Sequence, residues 1–340
     1  MTARDEYTPF MNWDPCSTIT VESFAQTFPS LVSMVRDDYH FDEGLLQKSS
    51  ALLLSIDKIE SPYVFVNGLI KLIGQSSPDP VAVFVDSVIE LLSSPHPPIF
   101  EGSLVFLHRC LDWCSSQNLL AIVSSQLVPR LLSTPRLRDL SVIADKSILF
   151  ETIMILHNTV LLSSTDVLRM LTTSGNVSPQ RVRDVALQEA LISIEPALVM
   201  ISRNRLILSW IEGCKETLRF LTKIFELSAY HQPTLDFVTA SRLSVIFQSL
   251  FAKVEDDKTH ILCLNSIYSN FIKWKAIGTA IMHRGKIMLQ TLKREGFEDD
   301  LEQGLFRNPS TALGSDAQFR SFRMMNRMGT NGFCPRIIPT

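Results

Sequence analysis

The chain has few of the features that mark secreted proteins and membrane proteins. No stretch of about 20 uncharged apolar residues occurs, so we expect no membrane-spanning helix. The first ten residues lack the apolar core of a signal peptide. The six cysteines are scattered and lie mostly within apolar runs, which favours buried free thiols in a reducing compartment. We therefore expect a cytoplasmic protein, with the nucleus as the alternative.

Catalytic and cofactor-binding motifs are also missing from the sequence. It has no Gly-x-Ser-x-Gly, His-Glu-x-x-His or dinucleotide-binding fingerprint, and Gly285-Lys286 lacks the spacing of a phosphate-binding loop. His108, Cys110 and Cys114 form a His-x-Cys-x₃-Cys group, but no second ligand pair completes a zinc site. We expect no catalytic residue, no cofactor and no bound metal.

The middle of the chain is nearly neutral, whereas its two ends differ in the sign of their charge. Residues 1–44 contain eight acidic side chains against two arginines, whereas residues 305–340 contain five arginines against one aspartate. Two solvated termini explain this difference without any function. Hydrophobic residues make up 46% of the 340 positions, which is enough to bury a sizeable core. Most of the chain is therefore expected to fold.

Apolar runs alternate with short polar breaks from about residue 21 onward. Val21–Arg36 is predicted to be a helix with Thr20 as its N-cap, and Glu43–Lys58 a second helix. Pairs of leucines then precede Ser-Pro or Thr-Pro turns, which stop helices. They recur every 40 residues, which indicates stacked helical repeats; the positions are Leu91-Leu92, Leu131-Leu132 and Leu171. Further helices are predicted near 179–194, 196–211, 213–230, 233–253, 257–283 and 285–303.

The repeated segments resemble a known family of helical repeats. The sequences LIKLIGQSSPDPVAV, VIELLSSPHPPI and LVPRLLSTPRLR are similar to the armadillo pattern, in which a leucine-rich helix precedes a Ser-Pro-Asp turn. HEAT repeats are a close alternative, because they stack helices with a similar period. The resemblance implies an all-α superhelix, or solenoid, over residues 21–304. It leaves residues 1–20 as a flexible lead and 305–340 as a disordered basic tail.

The resemblance also implies a binding site. In armadillo proteins the helix after the turn lines a concave groove, where an asparagine binds the backbone of an extended peptide. The matching positions here are Arg109, Asn158 and, more weakly, Asn265. The tryptophan that nuclear-import receptors carry four residues earlier is replaced by Val105 and Met154, which argues against a receptor for nuclear-localisation signals. An inter-helix hydrogen bond is the alternative role for Asn158.

The predicted function is a protein–protein interaction scaffold that binds a protein or peptide on its concave face, without catalysis. One alternative is a Mg²⁺-dependent helical enzyme that uses Asp37, Asp38 and Asp42, which resemble an aspartate-rich terpene-synthase motif. An acidic loop that caps the helix beginning at Glu43 explains the same residues. A nucleic-acid-binding array is the other alternative, and it would use the basic tail and residues 283–294.

Five residues that precede proline suit either turns or phosphorylation by proline-directed kinases: Ser61, Ser77, Ser94, Thr134 and Ser178.

Overall fold

A computed structural model describes residues 3–75, 77–160 and 177–228, together with seven further positions between 237 and 250. These residues form α-helices and turns, and no strand occurs among them. They fall into two compact units, divided between Ala197 and Leu198. The expected all-α class is thus confirmed for the described residues, and the packed helices are compatible with a helical-repeat fold.

The first unit is a succession of short helices joined by tight turns. A 3-10 turn, Ser55–Lys58, continues its third helix. The helices are α1 (Ala3–Asn12), α2 (Val21–Arg36), α3 (Glu43–Leu54), α4 (Pro62–Ile73), α5 (Pro80–Leu92), α6 (Pro97–Trp113), α7 (Ser116–Ser124), α8 (Leu127–Ser133) and α9 (Lys146–Val160). A longer helix follows, α10 (Val177–Arg203), and then α11 (Arg205–Ser209) and α12 (Ile211–Ser228).

Capping side chains explain where several helices begin. Thr20 and Ser23 form a reciprocal capping box at the start of α2, as the sequence predicts for Thr20. Asp42 accepts a hydrogen bond from the Leu45 amide at 2.8 Å and so begins α3. The helices α4, α5 and α6 each have proline at the first helical position, where no amide hydrogen is needed. Local signals therefore define most helix starts in the first unit.

Helix α6 lies at the centre of the first unit, because α3, α4, α5 and α9 all pack against it. Its Phe106 is fully buried among other aromatic rings. The Phe106 ring centroid lies 5.4 Å from that of Phe24 and 5.3 Å from that of Phe28, and Phe84 contacts it from α5 at 6.2 Å. These rings join α2, α5 and α6 in one core.

The 40-residue spacing corresponds to two helices that end in the same way. Leu91 and Leu92 close α5 and are fully buried, as is Leu131 near the end of α8. Leu132 is half-buried. Two helices, α6 and α7, lie between them. The third leucine of the series, Leu171, lies outside the described residues.

The structure differs from the sequence-based expectation at two places. Residues 1–20 were expected to be a flexible lead, but they contain α1, whose Phe10 is fully buried against the rest of the first unit. Lys48 fixes the end of this helix by donating to the Met11 carbonyl at 2.7 Å. A helix break was expected at Pro196, but α10 continues through it and ends before Asn204, which caps α11 instead. The predicted helices beyond residue 253 and the basic tail lie outside the described residues.

The second unit has its own tight contacts. The Cys214 thiol donates to the Ile207 carbonyl at 3.0 Å, which joins α12 to α11. Gly213 lies so close to the Trp210 ring that a methyl group at this position would be 2.4 Å from it. Among the described residues, no helix combines the length and the apolar character needed to cross a bilayer.

Removing the central ring tests this packing. We expect Phe106→Ala to lower the free energy of unfolding by about 3–5 kcal/mol, because the cavity left in a close-packed aromatic core cannot collapse fully. The matched control is Val142→Ala, at an exposed apolar side chain, which should change stability by less than about 0.5 kcal/mol. Urea unfolding measures both, and equal midpoints for the two variants would contradict the central role of Phe106.

Candidate functional site

A cluster of ionisable side chains lies between α6 and α9. His108 on α6 has only 3% of its side chain exposed, and its Nδ1 is 2.5 Å from Oε2 of Glu151 on α9. The other ring nitrogen, Nε2, is 3.3 Å from Oδ2 of Asp112, one helical turn further along α6. This second contact has the distance of an ion pair but not the geometry of a hydrogen bond. The imidazole therefore lies between two carboxylates.

Asp112 connects this cluster to both of the predicted site residues that the structure describes. Its Oδ1 accepts a hydrogen bond of 2.6 Å from the Asn158 amide, and its Oδ2 is 3.7 Å from Arg109 Nη1. Arg109 also donates from Nε to Asp57 Oδ1 at 2.7 Å. The network thus joins the 3-10 turn after α3, helix α6 and helix α9. The third predicted residue, Asn265, lies outside the described residues.

The electrostatic surroundings keep the Arg109 guanidinium charged. Partial burial lowers the pKa of Arg109, but the hydrogen bond and charge of Asp57 outweigh burial. Glu151 and Asp112 act in the same direction, so the pKa is raised above its ordinary value. About a third of this side chain remains exposed. Arg109 is therefore a fixed cation at the surface.

Asn158 occupies a different environment from Arg109. It is buried, and its amide nitrogen is committed to Asp112. This is the inter-helix hydrogen bond that the sequence analysis gave as the alternative role. A contact between Asn158 and a partner stays a prediction, and it would require this hydrogen bond to be exchanged.

Exposed apolar side chains lie beside the network. Trp113, the last residue of α6, is 45% exposed, and Tyr63 and Val64 at the start of α4 are 54% and 67% exposed. Asn67 fixes their positions, because its Nδ2 donates to the Tyr63 carbonyl at 2.7 Å and to the Trp113 carbonyl at 3.3 Å. Its Oδ1 accepts from the backbone amide of Ser115 at 2.8 Å and from the side-chain Nδ2 of Asn118 at 2.7 Å. One amide group thereby connects the start of α4 to the α6–α7 turn.

Arg109 and Trp113 are four residues apart on α6 and share one side of that helix. The chain from Asp57 to Asn67 runs along the same side, since its two ends contact Arg109 and Trp113. We call the four outward side chains, Tyr63, Val64, Arg109 and Trp113, the corner face. Of these four side chains, only Arg109 is predicted from the sequence to lie at a binding site.

For Tyr63 and Val64, a signal is present in the sequence. The residues from Tyr63 to Val66 are four consecutive apolar positions at the start of a helix. A helix packed on one side can bury only part of such a run. In the structure Phe65 and Val66 are buried, and Tyr63 and Val64 face outward.

The acidic residues of the alternative Mg²⁺ site have separate roles. Asp37 accepts a 2.6 Å hydrogen bond from the Tyr7 hydroxyl, and this bond is the main reason that the Tyr7 pKa is raised to about 12. Asp42 caps α3, and Asp38 lies in the left-handed region with φ of 51°. Within the described parts of the chain, no three metal-binding side chains converge on one point.

Two cysteines lie near the network, Cys110 within α6 and Cys114 directly after its last residue. Burial raises the pKa of Cys110, and it raises that of Cys114 to about 12. Cys214 is buried in the second unit, whereas Cys16 is exposed. The expectation of buried thiols is thus confirmed for Cys110 and Cys214 and incorrect for Cys16, and Cys114 is partly buried. The remaining two, Cys263 and Cys334, lie outside the described residues.

Comparisons with protein-family models, with curated proteins and with solved structures give no match to this chain. The corner face and the buried network beside it must therefore be interpreted from their own chemistry.

A double-mutant cycle tests the buried bridge. His108→Ala and Glu151→Ala should each destabilise the protein, because each leaves a buried polar partner unpaired. The double variant should lose less stability than the two single variants lose together. Urea unfolding should give a coupling energy of about 1–3 kcal/mol. The control cycle uses Arg130 and Asp86, an exposed pair 2.7 Å apart, for which coupling below about 1 kcal/mol is expected. Equal coupling energies in the two cycles would show that the buried bridge contributes no more to stability than the exposed pair.

Thiol labelling tests the cysteine environments. At pH 8 we expect N-ethylmaleimide to modify Cys16 rapidly in the folded protein and to leave Cys110 and Cys114 unmodified until denaturant is added. The physical reason is that burial keeps these two as neutral thiols, whereas the thiolate is the reactive form. Peptide mass spectrometry assigns the label to each cysteine. Rapid labelling of Cys110 without denaturant would contradict the packing of α6.

Proposed function

We propose that this chain is a protein-binding scaffold of the armadillo/HEAT helical-repeat type, which holds its partner on the corner face and carries out no catalysis. The observation that supports the proposal most directly is the exposed pair Tyr63 and Trp113, held in place by Asn67. Exposed apolar side chains that form a patch with a polar rim are typical of protein interaction sites.

The energetics favour a binding role for these two side chains. Tyrosine and tryptophan dominate the binding energy of protein interfaces, because they bury a large area and keep one polar group for a hydrogen bond. The Asn67 amide holds the backbone on both sides of the face, so little conformational freedom is lost when a partner binds. Val64, next to Tyr63 in the chain, adds further exposed apolar area.

The neighbouring charges indicate the chemistry of the partner. Asp57, Glu60 and Asp112 are exposed and adjoin the corner face in sequence. Arg109 is already paired with Asp57 and contacts Asp112, which leaves Lys58 as the neighbouring cation. The surroundings are thus slightly acidic, and they favour a protein segment with an apolar anchor next to lysine or arginine. The phosphate backbone of a nucleic acid would meet repulsion here.

Arg109 keeps the role that the sequence analysis gave it. The salt bridge to Asp57 uses Nε, and a guanidinium has five N–H donors. The remaining donors are available for carbonyl groups of an extended partner. Asp57 and Asp112 would then act as orienting groups for this cation.

Selection from a displayed library of random peptides, with the full chain as bait, tests the proposal. We expect enrichment of peptides that combine an aromatic or aliphatic anchor with a basic residue. Binding of an enriched peptide, followed by fluorescence anisotropy, should weaken at least about tenfold in Tyr63→Ala/Trp113→Ala, because each truncation removes an anchor.

The control variant is Val142→Ala, which removes an equally exposed apolar side chain outside the corner face and should leave binding unchanged. The urea midpoint of each variant establishes that the fold is intact, since surface truncations cost little stability. Peptides that bind the double variant as tightly as the native chain would contradict the proposed face. So would a selection that enriches nothing, or a chain that prefers single-stranded RNA to every peptide.

A further inference from the structure

Proline-directed kinases recognise a serine or threonine that precedes proline. Thr8 adds a sixth such residue to the five named from the sequence: Ser61, Ser77, Ser94, Thr134 and Ser178. The structure places them in different environments. Ser94 and Thr134 are buried, and the Thr134 hydroxyl donates to the Leu131 carbonyl at 2.7 Å. The Ser94 hydroxyl accepts from the His96 amide at 3.3 Å. A kinase cannot reach either hydroxyl without unfolding the turn.

Three further residues that precede proline are held by the structure around them. Thr8 lies within α1, and Ser178 is the second residue of α10. Kinases bind their substrates as extended segments, so both helices would have to unwind. Ser77 lies in the turn before α5, where its hydroxyl bonds to both the amide and the carbonyl of Asp79.

Ser61 differs from all of these. It is exposed and lies outside any helix. Ile59, two residues before it, has an extended backbone conformation. It occupies the N-cap position of α4, but its hydroxyl makes no capping hydrogen bond. The side chains at five other N-caps do make one: Thr20, Asp42, Asp79, Ser115 and Asn204. The Ser61 hydroxyl is therefore not used by the fold.

We propose that Ser61 is a phosphorylation site for a proline-directed serine/threonine kinase, with ATP as the phosphoryl donor. The Ser61 Oγ attacks the γ-phosphorus of Mg²⁺-bound ATP. A new Oγ–P bond forms, the bond from that phosphorus to the bridging oxygen breaks, and ADP leaves. The hydroxyl proton passes to the catalytic base of the kinase.

Little of the fold has to change for this reaction. Pro62, the recognised residue after Ser61, has no amide hydrogen to lose. The change is confined to the first turn of α4, beginning with the bond from the Phe65 amide to the Ser61 carbonyl at 3.1 Å. The product places up to two negative charges at the positive end of the α4 dipole, which stabilises the first turn.

The modification goes beyond the proposed scaffold function and does not depend on it. Its position does matter to that function, because Ser61 lies two residues before Tyr63 of the corner face. A phosphate there would add to the negative charge that Glu60 and Asp57 already supply.

The experiment uses the full chain, Mg²⁺-ATP and a cyclin-dependent or mitogen-activated kinase, with phosphopeptide mapping at early times. We expect Ser61 to be labelled at least about tenfold faster than Ser94 or Thr134, which need local opening before they can react. Ser61→Ala should remove most of the phosphate incorporation. The matched variant Ser94→Ala should leave it unchanged.

A synthetic peptide of residues 54–68 shows whether the kinase accepts the sequence outside the fold. Labelling of the peptide without labelling of Ser61 in the intact chain would overturn the inference, since the site would then be inaccessible. Failure of both kinases to label the peptide would overturn it as well. Unchanged incorporation in Ser61→Ala would assign the phosphate to another residue. None of these measurements involves a binding partner, so a result that overturns the phosphorylation site would not contradict the scaffold proposal.

Discussion

Helix α6 has to bury apolar surface on most of its sides and still accommodate a row of polar groups. Leu104, Phe106, Leu107, Cys110 and Leu111 are buried among the helices around it. His108 lies in the middle of this set and is just as buried. A buried imidazole needs partners for its nitrogens, and Glu151 of α9 and Asp112 of α6 provide the contacts. The position of α9 along α6 therefore depends on where His108 lies.

The same polar requirement extends to the surface. Asp112 contacts His108 through Oδ2 and accepts from Asn158 through Oδ1, so each of its oxygens has a partner on the buried side. Arg109 contacts it from the solvent side and binds Asp57 of the preceding 3-10 turn. The chain from Asp57 to Asn67 is thus held along α6. A buried group on α6 and an exposed face beside it are parts of one arrangement.

Features that depend on neighbouring residues could be predicted from the sequence. The start of α2 at Thr20, the stop at Ser93 after Leu91 and Leu92, and the all-helical class follow from caps, prolines and apolar periodicity. Pairings between distant residues could not. His108 and Glu151 are 43 positions apart, and nothing in either segment specifies the other. The helix α1 was missed because Phe10 and Trp13 are few anchors, and only packing against α2 makes them sufficient.

The asparagines show how far the armadillo resemblance extends into chemistry. In that family an asparagine amide binds the backbone of a foreign peptide. Here Asn67 makes the equivalent hydrogen bonds to carbonyl and amide groups of its own chain, at Tyr63, Trp113 and Ser115. Asn158 is committed to Asp112 in the same intramolecular way. When amides are used to fix helices against one another, recognition has to come from other groups. The proposed corner face supplies them as exposed aromatic rings and one oriented guanidinium, which makes affinity depend on apolar burial more than on backbone hydrogen bonds.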